Sequence, residues 1–371
     1  MTSRFIVLTP RLDGRDGISE VSRQVVRALA EESSAGVEAW TLDGGCPDDM
    51  GKPGVTVRSA AGNRARLLRW TIEAAIRRSF AGTTVVAMHV HLAPLGALLR
   101  ARGARLAAFL HGIEVWRPLR LRERSALELA DRVVANSRHT VEQFRAVNPW
   151  WGSRSITVAA LGASPAAANV TPSAERGFVL IVGRLSSAER YKGHDALIDA
   201  WPAVLQAVPD ARLIVAGDGD DRPRLEARVA AADLTTAIRF TGRVSDDALR
   251  GLYQACALFA MPSTGEGFGL VYVEAMREAK PCLALRAAAD IIEDGVTGVL
   301  LDEARPAALA AAIAGLLNDG DRRARLGRAA GARAAAEFTE QQFARRFRAA
   351  MGLGAAGAAP PPASRIVDVQ A

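Results

Sequence analysis

A chain of 371 residues is too long for one ordinary domain, and 49% apolar residues suffice for two hydrophobic cores. No apolar run reaches the roughly 18 residues of a membrane span, and the N-terminal MTSRFIVLTP has neither the apolar length nor the cleavage site of a secretory leader. Cys46, Cys256 and Cys282 are far apart and match no zinc or redox spacing, which fits a reducing cytosol and predicts a cytoplasmic protein.

The predicted elements alternate. RFIVLT (4–9), VEAWTL (37–42), TTVVAM (83–88), RLAAFL (105–110) and DRVVAN (131–136) read as short buried strands separated by periodic helices. The net charge of +7 is placed unevenly along this first series. Residues 1–172 hold 23 Lys+Arg against 15 Asp+Glu, whereas residues 173–371 hold 24 against 25. The excess gathers in residues 58–78 and 100–124. Leu67, Leu68, Ile72 and Ile76 give the first of these segments an apolar face with arginines and Trp70 around it. Such a helix either packs on a core with its charges solvated or lies on an anionic membrane surface, and both readings stay open. No zinc finger or aromatic–basic motif is present, so no nucleic-acid partner is expected.

A second series follows the loose stretch ASPAAANVTPSAE (163–175). Its strands are FVLIVG (178–183), RLIVAG (212–217), IRFTG (238–242), ALFAM (257–261) and CLALR (282–286). Helical segments then cover 305–318, 320–336 and 339–351, and a Gly/Ala/Pro-rich stretch over 353–371 reads as a tail too poor in core residues to pack. Strands alternating with helices predict an α/β protein of two doubly wound, Rossmann-like parallel-sheet domains facing a cleft. The expected boundaries are 1–165 and 176–336, with a terminal helix over 337–352. Ligands of such sheets sit beyond the carboxyl ends of the strands.

The stretch MPSTGEGFGLVYVEAM (261–276) concentrates the chemistry. Its glycines and Pro-Ser mark a strand-to-helix loop, and the helix is predicted to begin near Gly269. The N–H groups of a first turn favour an anion or a sugar hydroxyl, and Gly265, Gly267 and Gly269 allow close approach of backbone. The helix is apolar nearly all round except at Glu274, which lies roughly 7–8 Å beyond Gly269 at about 1.5 Å per residue. A carboxylate buried without a partner costs several kcal/mol, so donors must reach Glu274. Arg277, three residues on, is one source, and the hydroxyls of a ligand are the other and favoured one.

Glu266 and Glu274, eight residues apart after a Pro-Ser, resemble the acid pair of the family 4 retaining glycosyltransferases, which have the GT-B fold. Further segments resemble the same family in the same order. They are DGISEVSRQVVRAL (16–29), HGIEVW (111–116), VGRLSSAERYKGHDALIDA (182–200), ARLIVAGDGDDRPRLE (211–226) and RFTGRVSDDALRGLYQACALFAMPSTGEGFGL (239–270). Together they span most of residues 4–350.

The resemblance implies a nucleotide-diphosphate sugar as co-substrate, a saccharide or lipid-linked acceptor, and transfer with retention without a bound metal or other cofactor. It implies that Arg184 and Lys192 hold the diphosphate, with Gly17 beside it in the first domain. The backbone at Arg243 and Val244 would meet the base. Glu266, Gly267, Phe268, Gly269 and Leu270 would bind the donor sugar and phosphates, and Glu274 the ribose. His111, ending a first-domain strand, would come to the sugar on domain closure, either accepting a hydrogen bond or carrying charge. Of His89 and His91, alternating at the end of one strand, only one would face the cleft, and family placement favours His91. The first domain would be the acceptor side, the helix over 337–352 would pack back on it, and the basic charge there suits a peripheral position at the inner face of a membrane in envelope polysaccharide or glycolipid assembly.

Two departures are visible. Asp16 stands where the family often has a glycine, with Gly14 available to compensate. RAAADIIEDGVTG (286–298) has alanines where the family has two glycines and a Pro-Glu, and Asp290 is the nearest substitute for that Glu. The altered loop keeps a non-catalytic relative open as an alternative, beside a nucleotide-sugar epimerase of the same architecture.

Overall fold

The computed structural model describes residues 4–14, 16–47, 50, 54–164 and 170–353. The tail expected over 353–371 lies, apart from residue 353, outside the described residues, as does the middle of the loose stretch, residues 165–169. The chain divides into two compact units. Unit 1 comprises Met1–Leu161 and Glu340–Ala371, and unit 2 comprises Gly162–Thr339.

Unit 1 is built on strands β1 (Arg4–Thr9), β2 (Val37–Thr41), β3 (Val55–Ser59), β4 (Thr83–Ala87), β5 (Arg105–Leu110), β6 (Arg132–Ala135) and β7 (Thr157–Val158). They form one seven-stranded sheet in the order β3-β2-β1-β4-β5-β6-β7, with every pair parallel. Helices α1 (Gly17–Ala30), α2 (Arg64–Arg77), α3 (Ala93–Arg100), α4 (Leu121–Glu128) and α5 (Arg138–Val147) make the crossovers. Phe5, Ile6, Val7 and Leu8 of β1 are all buried, because a central parallel strand is covered on both faces and needs a continuous apolar run.

Unit 2 repeats the plan with β8 (Val179–Val182), β9 (Leu213–Ala216), β10 (Ile238–Gly242), β11 (Leu258–Met261), β12 (Cys282–Leu285) and β13 (Gly298–Leu301). The order is β10-β9-β8-β11-β12-β13, again all parallel. Its helices are α6 (His194–Ala207), α7 (Arg222–Ala231), α8 (Asp246–Ala255), α9 (Leu270–Arg277), α10 (Pro306–Asn318) and α11 (Gly320–Glu337). Helix α12 (Glu340–Ala350) then returns to unit 1. There Phe343 and Phe347 pack against Phe109 of β5 with ring centroids 6.4 and 6.3 Å away, and Glu340 pairs with Arg27 of α1.

Both sheets reverse their strand order beside their first strand, between β1 and β4 in unit 1 and between β8 and β11 in unit 2. The crevice outside the carboxyl ends of those two strands is where doubly wound sheets take ligands.

Two features differ from the sequence reading. Strands β3, β7 and β13 were absent from it. In β3, an edge strand, VTVRS is half in contact with water along its whole length, and its last two residues, Arg58 and Ser59, read as the start of the basic segment that follows. The helix of that segment starts only at Arg64, after Asn63 caps it by accepting from the Arg66 N–H at 2.9 Å. Its apolar residues do not share one face. Leu67 and Thr71 point into the core, whereas Leu68, Ile72 and Ile76 are exposed.

Candidate functional site

The switch point of unit 2 is assembled by two loops. The first leaves β8 at Gly183, runs through Arg184, makes a 3-10 turn over Ser187–Lys192 and enters α6 through Gly193. The second leaves β11 at Pro262 and enters α9 through Gly269. They are held together by the Thr264 N–H donating to the Tyr191 carbonyl at 2.9 Å. Gly193 makes this closeness available. Its φ is +89°, and a Cβ there would lie 2.7 Å from the Pro262 carbonyl oxygen, a conformation and a gap that suit only glycine. Gly269 is the N-cap of α9, also left-handed, with no side chain capping the helix; a Cβ there would lie 2.5 Å from the Tyr272 ring.

The loops bring together three of the residues singled out in the sequence. Lys192 Nζ lies 3.3 Å from Glu266 Oε2 and 3.8 Å from Glu189 Oε2, and Arg184 pairs with the other oxygen of Glu189. Arg184, Glu189, Lys192 and Glu266 thus form one run of alternating charge across the switch point. Lys192, Glu189 and Glu266 are largely buried, whereas most of the Arg184 side chain is in water. Glu189, which sequence reading left unassigned, is the hinge of the run. Its Oε2 is buried without a hydrogen bond, since 3.8 Å to Lys192 is an ion-pair distance and too long for one. The Tyr191 hydroxyl is pushed up by burial and by the neighbouring carboxylates of Glu189 and Glu266, so it stays protonated. His194, at the start of α6, is held by burial at about 4, well below the usual imidazole value, and its Nε2 has no partner.

The helix α9 is buried at Tyr272, Val273, Ala275 and Met276. Glu274 projects from its remaining side. One donor lies outside the two sources weighed in the sequence: the Tyr253 hydroxyl of α8 donates to Glu274 Oε2 at 2.8 Å. Burial and the adjacent carboxylate push Tyr253 far above the usual phenol range, so the donor is always protonated. Arg277 donates to the Ser164 carbonyl; burial lowers its pKa, and the charges of Glu274 and Glu278 offset this only in part. A carboxylate has about four acceptor positions, of which Tyr253 takes one. Only the amphipathic pattern of α8, which turns Tyr253 inward, hints at this pairing across 21 residues.

Among the remaining candidates of unit 2, Phe268 faces the core, its ring 6.0 Å from that of Phe338. Gly267 and Leu270 are half-buried on either side of it. Arg243 and Val244 follow β10, two strands from β8, about 10 Å along the sheet edge at 4.8 Å per strand.

In unit 1, His111 follows β5 and is buried. Its Nε2 is 2.7 Å from the Met88 carbonyl oxygen. A carbonyl only accepts, so the proton is on Nε2 and Nδ1 is the acceptor. Burial holds the ring at about 4, which favours the neutral, hydrogen-bonding form among the two roles expected for it. The alternation expected of His89 and His91 also fails. Strand β4 ends at Ala87, and a 3-10 turn over Val90–Leu92 sets the two rings side by side at 4.6 Å. His91 Nε2 accepts from Arg117 at 2.9 Å, and both adjoin the buried carboxylate of Glu123.

Gly17 is the first residue of α1, exposed, with open space where a Cβ would go. The N–H groups of Ile18 and Ser19 beside it are already taken by the Asp16 carboxylate, each at 3.0 Å. Burial alone would raise that carboxyl, and the hydrogen bonds from Ser19 outweigh it and keep it ionised. Gly14 packs tightly instead: a Cβ there would lie 2.4 Å from Ser19 Oγ.

Comparison with known proteins agrees with this architecture. Residues 176–319 match the family model described as glycosyl transferases group 1, a match that lies within the second unit. The chain is 30% identical over 167 residues to alpha-D-kanosaminyltransferase of Streptomyces kanamyceticus, covering 44% of this chain and 42% of that protein. It is 35% identical over 144 residues to phosphatidyl-myo-inositol mannosyltransferase of Mycobacterium leprae, covering 38% and 37%. In each case the alignment spans under half of the relative's length. The crystal structure of Anabaena HepE in complex with UDP and glucose superposes with a TM-score of 0.75 at 22% identity, covering 94% of this chain and 99% of that one. The fold is therefore GT-B, two parallel-sheet α/β domains.

Proposed function

We propose that the protein is a retaining, metal-independent glycosyltransferase that moves a sugar from a nucleotide-diphosphate donor to an acceptor hydroxyl. The observation that carries this reading is the run Arg184–Glu189–Lys192–Glu266 at the switch point of unit 2. A guanidinium fork and an ammonium beside each other suit a diphosphate, and neutralising it as it departs lowers the barrier to transfer. The backbone N–H groups from Phe268 to Leu270, at the uncapped start of α9, add donors to the same leaving group.

On this reading Glu266 holds hydroxyls of the transferred sugar and Glu274 those of the ribose, while the backbone at Arg243 and Val244 meets the base. The acceptor attacks the face from which the diphosphate leaves, and the departing phosphate takes the acceptor proton. Within unit 1, His111 offers a neutral acceptor through Nδ1. The two named relatives are a kanosaminyltransferase and a phosphatidyl-myo-inositol mannosyltransferase; for this chain the basic unit 1 favours a saccharide or lipid-linked acceptor of envelope polysaccharide or glycolipid assembly, met by a cytoplasmic protein at an anionic membrane surface.

The test is a thermal-shift panel of UDP-, GDP- and ADP-sugars. A bound donor at about 100 times its Kd raises stability by about 2.7 kcal/mol. Glu274→Ala should abolish that shift, read against the variant's own unliganded melting temperature, which falls because the buried Tyr253 hydroxyl loses an acceptor. A panel without any shift overturns the reading. Retention is read from the anomeric configuration of the product, and metal independence from turnover in the presence of a chelator.

A further inference from the structure

Helix α2 has two apolar faces, and unit 1 uses only one. Leu67 and Thr71 face the core, with Trp70, Ala74 and Ala75 partly covered beside them. On the other side Leu68, Ile72 and Ile76 are 43%, 42% and 73% exposed. They are spaced four residues apart, so they form one stripe along the helix. Leu98 of α3, itself 40% exposed, extends the stripe sideways. Ile72, Ala75, Ile76, Leu98 and Arg102 line a shallow hollow there. Contiguous exposed aliphatic residues of this size are unusual on a protein surface and mark an interaction site.

The charges around the stripe identify what it meets. Arg64, Arg66, Arg69 and Arg77 of α2 are all exposed, and so is Arg102 at the edge of the hollow. Glu73, the sole acid of α2, is paired with Arg69 at 3.6 Å. A second copy of this chain would set the arginine rims against each other. A nucleic-acid backbone would satisfy the rim and leave the aliphatic centre in water. An anionic bilayer satisfies both at once, its headgroups meeting the guanidinium groups and its acyl boundary receiving the stripe.

We propose that α2 and Leu98 are a membrane-docking face, which lies on an anionic lipid surface with Leu68, Ile72, Ile76 and Leu98 entering the headgroup boundary. This rests on the reading that unit 1 works at a membrane and names the face that does so. It needs neither donor nor acceptor to be tested.

The experiment is sedimentation of the full chain with vesicles of phosphatidylcholine alone and with about one-third phosphatidylglycerol, over a range of salt. The expected result is binding to the anionic vesicles only, weakening as salt rises. Ile72→Ser with Ile76→Ser should reduce partitioning about tenfold or more. Arg64→Gln and Arg77→Gln should each reduce it about fivefold and flatten the salt dependence. All these side chains are exposed, so the melting temperature and any nucleotide-induced shift serve as controls and should stay as in the unaltered chain. Absence of vesicle binding, or binding that the Ile72/Ile76 change leaves intact, overturns the proposal. Concentration-dependent dimerisation lost in that variant, without vesicle binding, overturns it in favour of a second copy. A donor panel that fails while the vesicle results hold would remove the transferase reading and leave this face standing.

Discussion

The Tyr253 hydroxyl donates to Glu274 Oε2 at 2.8 Å, so the acid on α9 is oriented by the protein before any ligand arrives. Tyr253→Phe deletes this donor and little volume. The expected cost is about 1–3 kcal/mol, the penalty for removing one partner of a buried polar pair. If Glu274 serves the ribose, the same change weakens nucleotide binding without abolishing it, whereas Glu274→Ala abolishes it. Chemical denaturation of both variants, with calorimetric titration of the best donor, separates the structural contribution from the binding one.

Gly193 holds the two loops of the site at contact distance with a φ of +89°. Gly193→Ala forces a methyl to within 2.7 Å of the Pro262 carbonyl oxygen unless the loops part. The expected destabilisation is about 1–3 kcal/mol. Parting the loops also separates Lys192 from Glu266, so nucleotide affinity should fall more than it would for an alanine placed at Gly17, where there is room. Melting curves and titration of both variants check the contrast.

Lys192 is shared between two carboxylates, 3.3 Å from Glu266 and 3.8 Å from Glu189. Glu189→Gln removes one competitor for its charge and for that of Arg184. Binding of a nucleoside diphosphate should tighten several-fold, while Lys192→Ala should weaken it by at least tenfold, the loss of a charge-assisted contact of about 1.5–3 kcal/mol. Titration at two salt concentrations checks both signs.

His89, His111 and His194 are each held by burial at about 4, below the unperturbed 6.5. A base with a depressed folded value binds its proton more readily in the unfolded chain. Stability is therefore complete above pH 6.5 and is lost as pH falls from there toward 4. Each site contributes on the order of 3 kcal/mol at most, and only the upper part of the window lies above the range in which the carboxylates titrate. Urea midpoints between pH 7.5 and 4.5 should fall steadily, and His111→Gln and His194→Gln should each flatten the slope.

Legibility of the fold followed burial. RFIVLT, RLAAFL and IRFTG gave strand bounds that the structure repeats, because continuous apolar runs between turn residues leave little choice. VTVRS at an edge and the four residues of β13 lack that signal. The motif order pointed to the family and to the loops that carry Arg184, Lys192 and Glu266. Tyr253 was not legible, since its pairing with Glu274 joins two helices 21 residues apart and depends on how each is rotated. Glu189 was visible as a charge, but only the 3-10 turn over Ser187–Lys192 sets it between the two cations. The segment 58–78 misled because hydrophobicity alone does not say which of two apolar faces meets the core.

Unit 1 is discontinuous in the chain, since α12 supplies Phe343 and Phe347 to the surface of β5 after the whole of unit 2 has intervened. A ribosome therefore finishes the second unit while the first still lacks part of its cover. Phe109 waits on α12, so a nascent chain halted near residue 339 would carry one folded body and one unfinished one.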